Sequence, residues 1–317
     1  MPLAPAAKLS LVEKKNIRDE WDSKRPEYEA EISKLLGTEW TINVDPLIIA
    51  PYVAASDSYA GRPGDVINGY FDGVASSLQY FLRDYPEGAD ELNRLVPSHQ
   101  LALDVDHDNV YSYCGPLIKD GKLYIVFKED RLWVNASDAL DKDKLLEQLG
   151  KADAADAGPG AVRLSPAAKA AIGKDYTEAA ANLQEEARTL LKNDKLVLNP
   201  NFEAVYAALE PVKKDKDPDN RLGNLSKVYF EEFVSALKYN KFDSDDLLQE
   251  AWEEVVTSNE VVLRIVDELT SDRKHGDSYA EAAVENGVLY LQTTPQRWGT
   301  NCGSTVSKLV DVISDAA

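Results

Sequence analysis

A chain of 317 residues can build one large hydrophobic core or two ordinary ones, since domains usually run about 100–200 residues. A formal net charge of −20 argues against a nucleic-acid backbone or an anionic membrane as the main partner, because both would repel it. The start Met1-Pro2-Leu3-Ala4-Pro5-Ala6-Ala7-Lys8 lacks the pattern of a signal peptide, and no apolar run approaches the roughly 20 residues that cross a bilayer, so the reading is a cytoplasmic protein.

Ser10-Leu11-Val12-Glu13 is a capping box. It predicts a helix to about Lys24, interrupted by Pro26, with a second helical piece closed by Gly37. Trp40 to Val44 reads as a strand. Asp45 to Arg62, rich in small and turn-forming residues, reads as a long connection and a candidate lid or binding loop. Asp65 is expected to cap a helix whose apolar face is Ile67, Tyr70, Phe71, Val74, Leu78, Phe81 and Leu82. Gly69 and Gly73 on it suggest the close approach of another backbone. From His99 to Trp133 the pattern alternates, with strands at Leu101–Val105, near Val110–Cys114 and at Leu123–Phe127. Asp120-Gly121 between apolar runs is a strong hairpin signal, because a type I′ turn needs positive φ at both central residues. Ser137-Asp138 begins a closing helix expected to end near Gly150.

The same order of elements recurs downstream. Asp120-Gly121-Lys122-Leu123-Tyr124 runs on to Arg131 and Asn135, and Asn286-Gly287-Val288-Leu289-Tyr290 runs on to Arg297 and Asn301 with the same internal spacing. Tyr70-Phe71-Asp72 matches Tyr229-Phe230-Glu231, and Asx-Pro follows a short strand at Asp45-Pro46 and Asn199-Pro200. The expected fold is α+β: two tandem related domains, each a small antiparallel sheet packed with helices. Residues 1–150 form the first, with an N-terminal helical extension; 151–164 are a linker of Ala, Asp, Gly and Pro; 165–317 form the second. In the second domain Ser165-Pro166 starts a helix, Asn201–Glu210 is helical, and Lys213-Lys214-Asp215-Lys216-Asp217 reads as a solvated loop.

Asp104, Asp106 and His107 form the densest cluster of ligand-type side chains. On a strand the two carboxylates share a face, and oxygen ligands with an imidazole suit a divalent ion. Arg131 and Arg297, each near a tryptophan (Trp133, Trp298), offer bidentate anion binding beside a stacking surface. Tyr52 and Tyr59 are expected to line a pocket in the first half. Cys302 precedes a helix, with His99, His107 and His275 the only histidines as bases, but it reads as a buried structural thiol. No nucleophile elbow, phosphate loop or dinucleotide fingerprint is present. These features point to a soluble, non-catalytic binding protein that holds a small anionic or aromatic ligand, or a partner protein, in a cleft between duplicated domains. The alternative is a metal-assisted enzyme of hydrolase or lyase type using Asp104, Asp106 and His107. No cofactor beyond that ion is implied.

Overall fold

The computed structural model describes residues 3–56, 58–157, 163–270 and 277–317. Asp57, the Gly158-Pro159-Gly160 part of the expected linker, and His275 lie outside them. The fold is mixed helix and sheet. The chain divides into two compact units, Met1–Gly160 and Ala161–Ala317.

In the first unit Ser10 caps α1 (Leu11–Ile17) through a complete capping box: its Oγ accepts from the Glu13 N–H, and Glu13 accepts from the Ser10 N–H. A single π-helical turn (Arg18–Asp22) leads to α2 (Arg25–Leu36). Pro26 sits in the first turn of α2, where its missing N–H costs nothing, so the proline starts a helix rather than merely interrupting one. Gly37 closes α2 at φ 71°.

β1 (Thr41–Asn43) follows, and then a helix where a connection was expected, α3 (Pro46–Ala54). Asp45 caps it by accepting from the Leu47 N–H, and Pro46 occupies N1. After α3, residues 55–56 and 58–62 are irregular. The aromatic helix splits into α4 (Pro63–Phe71) and α5 (Val74–Asp84), with the break at Gly73. Asp65 does not cap α4. It lies in the first turn, accepting from Asn16 Nδ2 and pairing with Arg62. α6 (Gly88–Leu95) leads to β2 (Gln100–Val105), β3 (Cys114–Lys119), β4 (Lys122–Phe127) and α7 (Lys142–Ala157). α7 passes the expected stop at Gly150 because Arg94 of α6 holds Asp153 and Asp156 on its last turns.

The sheet order is β1-β2-β4-β3. β3 and β4 are the antiparallel hairpin that Asp120-Gly121 announces, at φ 51° and 70°. β4, however, runs parallel to β2, as β1 does. The sheet is therefore mixed, not antiparallel. The chain leaves β2 for the far edge as β3, and the hairpin returns β4 into the gap, alongside β2 in the same direction. The core on its inner face holds Trp21, Trp40, Tyr70, Phe71, Phe81 and Phe127, all nearly inaccessible.

The second unit contains α8 (Pro166–Asp175), α9 (Thr177–Leu190), β5 (Val197–Asn199), α10 (Phe202–Leu209), α11 (Lys213–Lys216), α12 (Pro218–Tyr239), α13 (Asp246–Val255), β6 (Glu260–Ile265), β7 (Ala280–Glu285), β8 (Val288–Thr293) and α14 (Leu309–Ala316). The Lys213–Asp217 charge run is a helical turn rather than a loop: Lys213 Nζ donates to Tyr206 OH and pairs with Asp219. Sheet order is β5-β6-β8-β7, with the parallel and antiparallel pairs in the same places as in the first sheet.

The likeness extends to single bonds. Ile42 N–H donates to Glu29 Oε1 at 2.8 Å, and Leu198 N–H to Gln184 Oε1 at 3.2 Å. Ser98 Oγ donates to Gly121 O, and Ser258 Oγ to Gly287 O. Gly64 lets the Asn16 carbonyl stand 2.4 Å from where a Cβ would lie, and Gly223 does the same for Ala171 at 2.2 Å.

Candidate functional site

The loops that follow β4 and β8 turn alike. Arg131 N–H donates to Lys128 O and Arg297 N–H to Thr294 O. Asn135 and Asn301 both take left-handed φ, at 53° and 50°, ahead of a short 3-10 turn, and neither side chain caps it. Trp133 N–H donates to Tyr70 OH at 2.6 Å, and Gly299 N–H to Tyr229 OH at 3.2 Å. This register makes Gly299 the positional match of Trp133, and Leu132 that of Trp298.

The two tryptophans therefore do not match. Trp298 is 1% exposed, within the core of the second unit. Trp133 is half-buried, with φ 61°, a conformation that costs a non-glycine residue about 1 kcal/mol or more. Its ring lies over Gly69, where a Cβ would stand 2.5 Å from the indole. The close approach expected at Gly69 is thus made by a ring, and Gly73 faces open space. Tyr59 packs on Trp133 with centroids 4.7 Å apart.

The arginines differ as well. Arg131 is exposed, with Nε 3.7 Å from Asp130, whereas the Arg297 guanidinium lies 5.1 Å over the Tyr279 ring.

Between the N-terminal segment, α3 and the loop after β4 lies a hollow of about 400 Å³ lined by Leu3, Tyr52, Ala55, Ser56, Glu129, Asp130 and Leu132. Tyr52, 4% exposed, contributes to that lining from α3. Its ring meets Phe127 edge-on at 5.5 Å, and its OH accepts from the Leu3 N–H at 2.8 Å. Burial, with Glu129 and Asp104 nearby, raises the phenol pKa, which the Leu3 hydrogen bond partly offsets. Tyr52, Tyr59, Trp133 and Arg131, read separately from the sequence, thus lie on or beside two neighbouring loops. Glu129 and Asp130 were missed. The available signal was a difference between matched loops, because the second unit carries Pro295 and Gln296 there.

The acidic cluster is dispersed. β2 ends at Val105, so Asp106 does not share a face with Asp104. Asp106 is 2% exposed and accepts from the Val110 and Tyr111 N–H groups at 3.0 and 2.7 Å, fixing the turn after the strand. Asp104 accepts from the Val105 N–H and lies 3.8 Å from His107 Nε2. Asp104 and His107 border a smaller hollow of about 180 Å³ with Asp108, Asp120 and Tyr124. Among the described residues no three His, Cys, Asp or Glu side chains converge as a metal site. At the register of Asp104 the second sheet carries Arg264, which stacks 3.9 Å over Tyr290 and pairs with Glu285.

Burial pushes the Cys114 thiol up to about 11 and also raises that of Cys302, so neither is a ready nucleophile. Comparison with family models, curated proteins and solved structures finds no match. Among the described residues no helix is long and apolar enough to cross a membrane.

Proposed function

We propose that the chain is a non-catalytic binding protein built by tandem duplication of one α+β unit, and that the first copy holds a small ligand in the hollow over Tyr52. The duplication is supported by the shared strand order and pairing of the two sheets and by the matched close approaches at Gly64 and Gly223. The first unit lays the Trp133 indole over Gly69, and at the matched Gly299 the second unit has no side chain and packs Leu225 there. Likewise Cys114 Sγ donates to Asn135 O beside Ala136, while Ala280, at the same register as Cys114, heads a strand packed against the turn that carries Cys302.

The observation that carries the binding reading is the hollow itself. Its volume is within the range of small-molecule sites, and its lining combines Tyr52 and the aliphatic Leu3, Ala55 and Leu132 with polar side chains. The arginines that suggested an anionic ligand do not line it, which favours the aromatic half of the original expectation. Two buried free thiols support a cytoplasmic location.

Ala55 is exposed on the wall of the hollow, so Ala55→Trp fills the space without touching the core. Ligand-observed NMR with indole as a neutral probe is expected to show saturable binding to the parent and none to this variant. Equal signals from both proteins, or from neither, would contradict the reading.

A further inference from the structure

We infer that the second unit binds a phosphate group, free or carried as the monoester of a small molecule, through Lys216, Arg221 and Arg297. The site lies wholly within that unit and does not depend on the hollow of the first. Three elements bring the cations together. Lys216, at the end of α11, donates from Nζ to the Trp298 carbonyl at 3.2 Å, which places its ammonium beside the loop that carries Arg297. Arg221 lies in the first turn of α12, four residues ahead of Leu225. Leu225 packs on the same loop, with Cδ1 2.6 Å from where a Cβ on Gly299 would lie. Residues four apart share a helix face, so Arg221 stands on the side of α12 that meets the loop. The Arg297 guanidinium rests over the Tyr279 ring at 5.1 Å.

These cations lack internal counter-ions. Arg221 and Arg297 are exposed, and among the described residues none of the three forms an ion pair with an acid. Burial, followed by the charges of Arg221 and Arg297, lowers the Lys216 ammonium below its ordinary value, and Asp215 does not make up the difference. A chain with 55 acidic residues had ample means to neutralise them.

The first unit shows what neutralisation looks like. The matched close approaches at Gly64 and Gly223 align Arg62 with Arg221 and Asp65 with Asn224. Arg62 pairs with Asp65 through Nε and Nη2 at 3.1 and 3.0 Å, whereas Asn224 offers Arg221 a similar shape without charge. Arg131 has Asp130 at 3.7 Å, whereas Arg297 follows Gln296. At both matched arginines the first unit supplies a carboxylate and the second a neutral amide. Two guanidinium forks left open in this way match anionic oxygens two at a time. A carboxylate carries a single charge, but a phosphate monoester carries about 1.5–2 with three acceptor oxygens, which suits three converging cations.

Phenyl phosphate, inorganic phosphate and acetate are titrated into the full chain at low ionic strength and followed by residue-resolved NMR. Both phosphates are expected to saturate with shifts at Lys216, Arg221 and Arg297, to bind about tenfold more tightly than acetate, and to weaken with added salt. Tighter binding of phenyl phosphate assigns a monoester, and tighter binding of inorganic phosphate assigns the free ion. Asn224→Asp and Gln296→Asp restore the acids that the first unit has. Each should cost about tenfold in phosphate affinity while melting no lower than the parent without phosphate, and Arg131→Gln should leave binding unchanged. No saturable phosphate binding, or binding that both acid variants leave intact, would overturn the assignment.

Discussion

The indole of Trp133 lies over Gly69 so closely that a Cβ on the glycine would stand 2.5 Å from the ring. Gly69→Val alone is therefore expected to destabilise the first unit by about 1–3 kcal/mol through overpacking. Trp133→Gly alone relieves a left-handed φ but leaves a void beside Tyr59. Gly69→Val/Trp133→Gly removes the ring that the added side chain would strike, so urea denaturation should show the double variant more stable than the sum of its parts by at least about 1 kcal/mol. Additive effects would mean that the two positions do not share one space.

Gly64 and Gly223 make a similar prediction in both units. A methyl group at either would meet a backbone carbonyl, of Asn16 or of Ala171. Gly64→Ala and Gly223→Ala should each cost about 1–3 kcal/mol. Hydrogen exchange should place each loss in its own unit. A neutral outcome at one site alone would weaken the proposed duplication, because the helix crossings would then tolerate different spacing.

The sequence displayed the parts of this fold that local chemistry dictates. Asp120-Gly121 and Asn286-Gly287 specify their hairpins, Ser10 and Ser165 cap their helices, and Gly37 stops α2. It did not display which strand the hairpin joins, since parallel pairing of β2 with β4 depends on a crossover that leaves no local mark. α3 was hidden because its Asp45-Pro46 start resembles a turn and its alanines resemble a loop. Of the site, the aromatic residues were visible as individual side chains. Their meeting was not, because Tyr59 and Trp133 are 74 positions apart by numbering (133 − 59) and their contact depends on the absent side chain of Gly69.

Asp219 supplies a pH test in the second unit. Burial pushes its carboxyl up, but hydrogen bonds from Ser165 and Tyr206 together with the charge of Lys213 outweigh burial and hold it below the ordinary carboxylate value. A depressed folded-state pKa contributes stability that is complete above the unfolded value, about 4. That contribution fades as pH falls through 4 toward the folded value. Thermal melts between pH 6 and pH 2.5 should show the second unit losing stability in acid. Asp219→Asn should be less stable at pH 6 and flatter with pH. A parallel pH profile in parent and variant would remove Asp219 from the account.

Cys114 and Cys302 are buried, with thiols raised by burial. Both should resist alkylation by iodoacetamide at pH 8 in the folded protein and react promptly in urea. Rapid labelling of Cys302 in the native state would restore it as a candidate nucleophile.

The most direct test of the whole account is residue-resolved NMR of the isotope-labelled chain during titration with indole. The account predicts saturating shifts at Tyr52, Ala55, Ser56, Glu129 and Leu132, with residues 166–317 unmoved. Shifts centred on the second unit, or scattered without saturation, would contradict it.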